Sequence, residues 1–513
     1  MPSARFTLLT ASLVCALIIL DTNIVAVSLP SIARDLSGSF ADIEWVVSAY
    51  LLAFAACLLP AGSLADRFGR RRMLLLGLVL FGLASLACGA APSLLYLDLA
   101  RAAKGVGAAL LLTSALAVIG NRFHQPQERM HAWAFWGACM GATITFAPLL
   151  GGVIASTLGW RWIFYINLPL VALLAIMVMR SVEASRDSAA ARLDPWGSLT
   201  FAGSLGYLIW AMIDANQVGW GSAQTLGRLV ISAFLFGLFV MVERSQERPM
   251  IDLQLMRSGR FVGALLGMFA YAACAQVMMT LLPLYLQNGL QLSALAAGAG
   301  MLPFAVAMLL TPRVGMHLAT RLSPAQVFAF GLVLVGAGNL LCAWATRHGG
   351  YGAFALASLV LGAGAGLLNG DTQKNIMACV PRERTGMASG LSTTTRFGAI
   401  VLAIGVLGGV LATRTEQLLY EAMAAAALGE LGQIAAMATR VAAGDLTSAL
   451  ALVDPSLRDG LAPLARQAFV GGFEAVLYSA GVAALVFAVL VGVLLSRPPV
   501  VLRGAEYAPG EAG

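Results

Sequence analysis

Long apolar runs separated by short polar segments repeat along the whole chain. Many hold 18 or more residues with few charges, enough for a helix rising about 1.5 Å per residue to cross a hydrocarbon core of about 30 Å. Backbone groups in lipid must pair within their own segment, so runs of this length predict helices rather than barrel strands. Fourteen spans are predicted: 7–29, 43–62, 73–91, 94–118, 132–156, 162–180, 197–214, 227–243, 261–283, 295–313, 325–346, 351–371, 386–411 and 473–495. Asp21 interrupts the first run and no small-residue cleavage site follows before Pro30, so this run reads as a retained helix. The segment 412–472 is Ala-rich and too polar to span, and it predicts a helical excursion outside the membrane.

Charge fixes the expected topology. With the N-terminus in the cytoplasm, 21 of the 32 lysines and arginines fall in or at the edge of cytoplasmic segments. Only Arg34, Arg161, Arg228 and Arg347 belong to short outer loops. An odd number of spans would set the Arg67–Arg72 cluster and the tail arginines Arg497 and Arg503 on opposite sides. This placement explains the net charge of +7 without nucleic acid as a partner. Composition agrees: 59% of the residues are hydrophobic and 11% are charged, too few charges to coat a soluble surface of this size.

Enzyme chemistry finds no support. The seven cysteines lie in or beside apolar runs without paired spacing, the four histidines lie in connecting segments, and neither a metal motif nor a phosphate-binding glycine loop occurs. No catalytic residue, metal or cofactor is expected.

Three constellations carry chemistry. The first is Gly62-Ser-Leu-Ala-Asp66-Arg67-Phe-Gly69-Arg70-Arg71-Arg72, read as a tight cytoplasmic gating loop in which Asp66 can face a helix N-terminus or an arginine. A simple topology signal is the bland reading. A faint echo, Leu318-Ala-Thr-Arg-Leu-Ser323, recurs 254 residues after Leu64 and fits two parallel repeats.

The second constellation is intramembrane. Asp21 on helix 1 and Arg101 on helix 4 fall at similar depth, and Asp98, Arg101 and Lys104 form an i, i+3, i+6 ladder. A charge at mid-bilayer costs about 2.5–3.5 kcal/mol even on the lenient insertion scale, so these groups should find partners and face a cavity. A carboxylate held between burial and neighbouring cations can load and release a proton. A static buried ion pair is the competing reading.

The third is Gly137-x-x-x-Gly141 followed by Ala147-Pro148-Leu-Leu-Gly151-Gly152, small residues that let helices approach and a proline that kinks them. Beyond it, Trp160-Arg-Trp-Ile-Phe-Tyr-Ile-Asn-Leu-Pro169 reads as a structural aromatic belt.

In order along the chain, these stretches resemble the fourteen-helix drug:proton antiporter family of the major facilitator superfamily. Leu20-Asp-Thr-Asn-Ile-Val-Ala-Val-Ser-Leu-Pro30 and Arg101-Ala-Ala-Lys-Gly105 are similar to its helix 1 and helix 4 signatures. Gly62–Arg72 matches the superfamily hallmark, and Gly137–Gly152 resembles the antiporter motif. Lys104 stands where the family usually has glutamine, and Ala147 and Thr143 stand where it has glycine.

The resemblance implies an all-α membrane protein with two six-helix bundles and two inserted helices. The N-terminal bundle would cover 1–183, the inserted helices 7 and 8 with their linkers 184–260, and the C-terminal bundle with its outer loop 261–513. It further implies a bacterial inner-membrane exporter of amphipathic compounds, driven by protons. Its partners would be the bilayer, a small-molecule substrate, protons, and in a two-membrane envelope a periplasmic adaptor and an outer-membrane channel. An importer, a uniporter or a non-transporting sensor are the alternatives.

Overall fold

In a computed structural model of the chain, the described residues are 3–497 except 39, 124, 184–193, 220, 246–254, 319–320, 349, 381–384, 426–436, 439, 442–445 and 454–457. Among them every regular element is helical. The long helices are α1 (Ala4–Leu36), α2 (Phe40–Phe68), α3 (Arg70–Gly89), α4 (Leu94–Arg122), α5 (Pro126–Thr157), α6 (Trp162–Ser181) and α7 (Pro195–Val218). They continue as α8 (Ala223–Ser245), α9 (Gly259–Gly289), α10 (Ala294–Gly300, resuming as Leu302–Leu318), α11 (Pro324–His348), α12 (Gly350–Ala378), α13 (Thr385–Ala425) and α14 (Arg458–Leu495). Twelve spans are long and apolar enough over their described residues to cross a membrane. Helices α2 and α7, of 29 and 24 residues, stand where the second and seventh spans were expected.

Local chemistry starts these helices. Ser3 caps α1, its hydroxyl accepting from the Phe6 amide at 3.3 Å, and Ser93 caps α4 in the same way. Asp194 accepts from the Gly197 amide at 2.8 Å at the head of α7, where Pro195 gives up a donor that the first turn does not need.

The helices overrun their expected ends. Pro30 was expected to follow the first span, yet α1 continues through it to Leu36. His131, His317 and His348, read as connecting residues, lie on helices; His124 is outside the described residues. Hydropathy registers only the stretch inside lipid, whereas backbone hydrogen bonds carry a helix on into water. The outer segment 412–472 shows this most clearly. Helix α13 has 41 residues and α14 has 38, about 60 Å each, so they project several turns beyond the core and carry a short helix, Leu446–Ala451, against α14.

Helices α1 to α6 pack together, as do α9 to α14. Helix α7 lies against both α2 and α13, and α8 rests on α7, where Ser204 and Ser232 each donate to the other's carbonyl oxygen at 3.0 and 2.8 Å. The outer face of α8 is apolar, with Val230, Phe234 and Met241 exposed as a lipid-facing surface requires. Within α9 two π-helical turns, Ala272–Gln276 and Tyr285–Gly289, interrupt the α geometry.

Candidate functional site

Asp21 sits at the middle of α1 and is fully buried. Two cations and one amide converge on its carboxylate. Arg101 Nη1 donates to Oδ2 at 3.1 Å, Lys104 Nζ donates to Oδ1 at 2.5 Å, and Asn167 Nδ2 donates to Oδ1 at 3.0 Å. Arg101 and Lys104 are one turn apart on α4, and Asn167 comes from α6. Arg101 Nε donates to the Val46 carbonyl oxygen at 2.8 Å, and its guanidinium lies 4.4 Å from the centre of the Tyr50 ring. The Lys104 ammonium lies 4.7 Å from the Phe81 ring and 5.0 Å from the Phe164 ring. Gly105 makes this meeting possible, because a side chain there would run into the Tyr50 carbonyl of α2.

The ladder expected along α4 is thus only partly realised. Arg101 and Lys104 are brought together, but on Asp21 rather than on Asp98. Asp98 is half-buried one turn toward the start of α4, and its Oδ1 accepts no hydrogen bond among the described residues. The expected exposure to a cavity is also corrected for the central group: Asp21, Arg101 and Lys104 are closed off on every side within the first bundle.

The small residues of α5 meet two other helices. A methyl group at Gly151 would stand 2.9 Å from the Ile24 carbonyl oxygen of α1. One at Gly152 would stand 2.6 Å from the Ala294 carbonyl oxygen of α10. From the facing side, Gly298 would strike the Pro148 carbonyl oxygen at 2.5 Å, and Gly141 meets Leu309 at 2.8 Å. Gly137 has open space. Close by, Gln287 of α9 donates to the Val27 carbonyl oxygen of α1 at 2.9 Å. At this end of the molecule the two bundles are therefore sealed against each other by backbone contact.

A scan against protein families matches residues 11–404 to the model described as Major Facilitator Superfamily. The chain belongs to that superfamily. It is 36% identical over 408 residues to "Multidrug resistance protein Stp" of Mycobacterium tuberculosis, covering 79% of this chain and 75% of that one. It is 30% identical to the "Tetracenomycin C resistance and export protein" of Streptomyces glaucescens, covering 94% and 90%. These relatives place it within the superfamily's drug:proton antiporter family. A bacterial homologue of the lysosomal transporter Spinster has the same fold, with a TM-score of 0.62 at 16% identity over 96% of this chain and 97% of that one. A peptide-bound POT family transporter matches at a TM-score of 0.63 and 13% identity, covering 96% of each chain.

The superfamily hallmark at Gly62–Arg72 is not a loop in this structure. Helix α2 runs through Phe68 and α3 begins at Arg70, leaving Gly69, at φ +101°, as the whole turn. That angle favours glycine because it has no Cβ. Gly62 lies inside α2 with open space beside it, Arg67 is exposed, and Arg70 is half-buried. Arg71 Nη2 donates to the Met179 carbonyl oxygen at 2.9 Å, capping the end of α6. The Asp66 side chain lies outside the described residues.

Sequence reasoning missed Asn167, taken as part of a structural belt, and Tyr50. It also missed the Ala294–Gly300 face that receives α5. An asparagine in the apolar run of α6 was the available signal, since an amide in lipid needs a partner. The alternating alanines and glycines of 294–300 were another.

Proposed function

We propose that this chain is a proton-driven exporter of amphipathic drugs or natural products that works by alternating access and performs no covalent chemistry. Its setting is the bacterial inner membrane with both termini cytoplasmic, where the arginine-rich α2–α3 turn would lie. The halves 1–183 and 261–513 move against each other, with 184–260 as the inserted hairpin. In an envelope of two membranes, a periplasmic adaptor and an outer-membrane channel extend the path.

One observation carries the reading: a single buried carboxylate holds two cations. A proton arriving on Asp21 cancels the charge that holds both. In a medium of low dielectric that change is large. Helix α1 transmits it. Ile24 and Val27, three and six residues after Asp21, hold α1 to Gly151 of α5 within its own bundle and to Gln287 of α9 across the inter-bundle seal. Loading a proton thereby alters how α1 is held at the same place where the bundles must part. Gly141, Pro148 and Gly152 carry the α5 part of the seal, and the Gly62–Arg72 turn, with Asp66 and Arg67, biases the opposite end. Asp98, nearer the outer end of α4, is the candidate first stop for the proton.

The relatives named for multidrug resistance and for tetracenomycin C export support drug-like cargo. The test uses purified protein in weak buffer. A substrate drawn from a growth-inhibition panel in an efflux-deficient host should release protons when added to the wild type and none when added to Asp21→Asn. Equal release from both proteins, or resistance unchanged by Asp21→Asn at equal membrane abundance, removes Asp21 from the coupling.

A further inference from the structure

The second bundle holds an intramembrane cation with no counter-ion among the described residues. Arg396 of α13 is half-buried, and no carboxylate lies within 4 Å of it among the described residues. Neutral groups aim it instead. Arg396 Nε donates to Gln276 Oε1 at 2.6 Å, and Nη2 donates to Asn369 Oδ1 at 3.3 Å. The hydroxyl of Tyr271 donates to the same Asn369 oxygen at 3.1 Å, and the guanidinium stands 5.5 Å from the Tyr271 ring centre. Nη1 makes no hydrogen bond among the described residues. Gln276 is the last residue of the first π turn of α9, a distortion of the kind found at functional sites.

The three helices bring these groups to one depth. Arg396, Asn369 and Tyr271 lie 11, 9 and 12 residues from the nearer ends of α13, α12 and α9, about 14–18 Å along each axis. The site also faces the other bundle. Thr394 donates to the Ala55 carbonyl oxygen at 3.5 Å, and Phe397 meets Phe54 edge-on at 4.5 Å. Phe54 stacks at 6.0 Å on Tyr50, whose ring lies under Arg101.

A cation left uncompensated in lipid is costly, so it persists where something else supplies the charge. We propose that Arg396, aimed by Gln276, Asn369 and Tyr271, is a subsite for an oxyanion on the transported compound: a carboxylate, phenolate or enolate. The planar guanidinium takes such a group through parallel N–H donors. The subsite deepens the exporter reading and rests on it, and it assigns an acidic amphipathic compound as cargo.

The experiment measures fluorescence polarisation of fluorescein, an anion, and rhodamine 6G, a cation, on purified protein without a gradient. Binding is therefore decided whether or not the proton-driven export stands. The wild type should bind fluorescein. Arg396→Gln should weaken that binding tenfold or more, leave rhodamine 6G within about twofold, and Arg396→Lys should restore part of the loss. Asn369→Asp places a carboxylate on the guanidinium, conserves shape, and should weaken fluorescein by a similar factor, which covers the case of an unfolded glutamine variant. Fluorescein affinity should be the same in detergent and in phosphatidylglycerol nanodiscs. The proposal is overturned by a wild type that binds only the cation, by parallel changes for both dyes, or by an anion affinity that vanishes in phosphatidylglycerol, which would assign Arg396 to a lipid headgroup.

Discussion

The two bundles treat intramembrane charge in opposite ways. In the first, Asp21, Arg101 and Lys104 form a sealed group in which a carboxylate faces two cations and the surplus is spread over the Tyr50, Phe81 and Phe164 rings. In the second, Arg396 is half-buried and held by amides and a phenol. A sealed, internally paired group can respond to something as small as a proton and has no room for a drug. A half-open charge with neutral supports has a place for a partner from outside. On the two proposals above, the contrast divides coupling from recognition between the halves.

The largest effect should come from breaking the paired side. Asp21→Asn leaves two buried cations without a carboxylate, and such unpairing costs about 3–5 kcal/mol. The variant should melt well below the wild type and lose proton-coupled transport. Asp21→Asn with Lys104→Gln should recover much of the melting temperature and none of the coupling. Recovery of both would show that the carboxylate serves only to neutralise Lys104.

Next comes the seal on which the proton is expected to act. Gly152→Ala and Gly298→Ala each place a methyl against backbone oxygen at 2.6 and 2.5 Å, so the helices must separate. An engineered cysteine near Val27 should label several-fold faster in either variant, and transport should fall. Unaltered labelling would mean that α5 and α10 adjust without opening.

Lys104→Gln sharpens the comparison itself. Lys104 stands where the family usually has glutamine, and the structure buries its ammonium on Asp21, away from any half-open space. Removing it should change fluorescein and rhodamine 6G transport by the same factor. Opposite changes for the two dyes would place substrate recognition in the first bundle as well.

The smallest effect is expected at the α2–α3 turn. Arg71→Gln loses one largely exposed hydrogen bond to the Met179 carbonyl and should cost under about 1 kcal/mol, with near-normal transport. Gly69→Ala, strained at φ +101°, should cost about 1–3 kcal/mol in a thermal melt. A larger loss from Arg71→Gln than from Gly69→Ala would reverse this ranking.

Sequence by itself determined the helical elements and their order, because the cost of polar groups in lipid is paid residue by residue and leaves a mark on every run. It also placed Asp21 and Arg101 at one depth, and their 3.1 Å contact agrees. The tertiary structure decided partnership. That Lys104 turns to Asp21 and leaves Asp98 behind depends on how α1, α4 and α6 rotate against one another, and side-chain spacing on α4 alone carries no record of its neighbours. Asn167, Gln276 and Asn369 gained roles for the same reason: an isolated amide in an apolar run says that a partner exists, and only the packing of helices far apart in the chain says which.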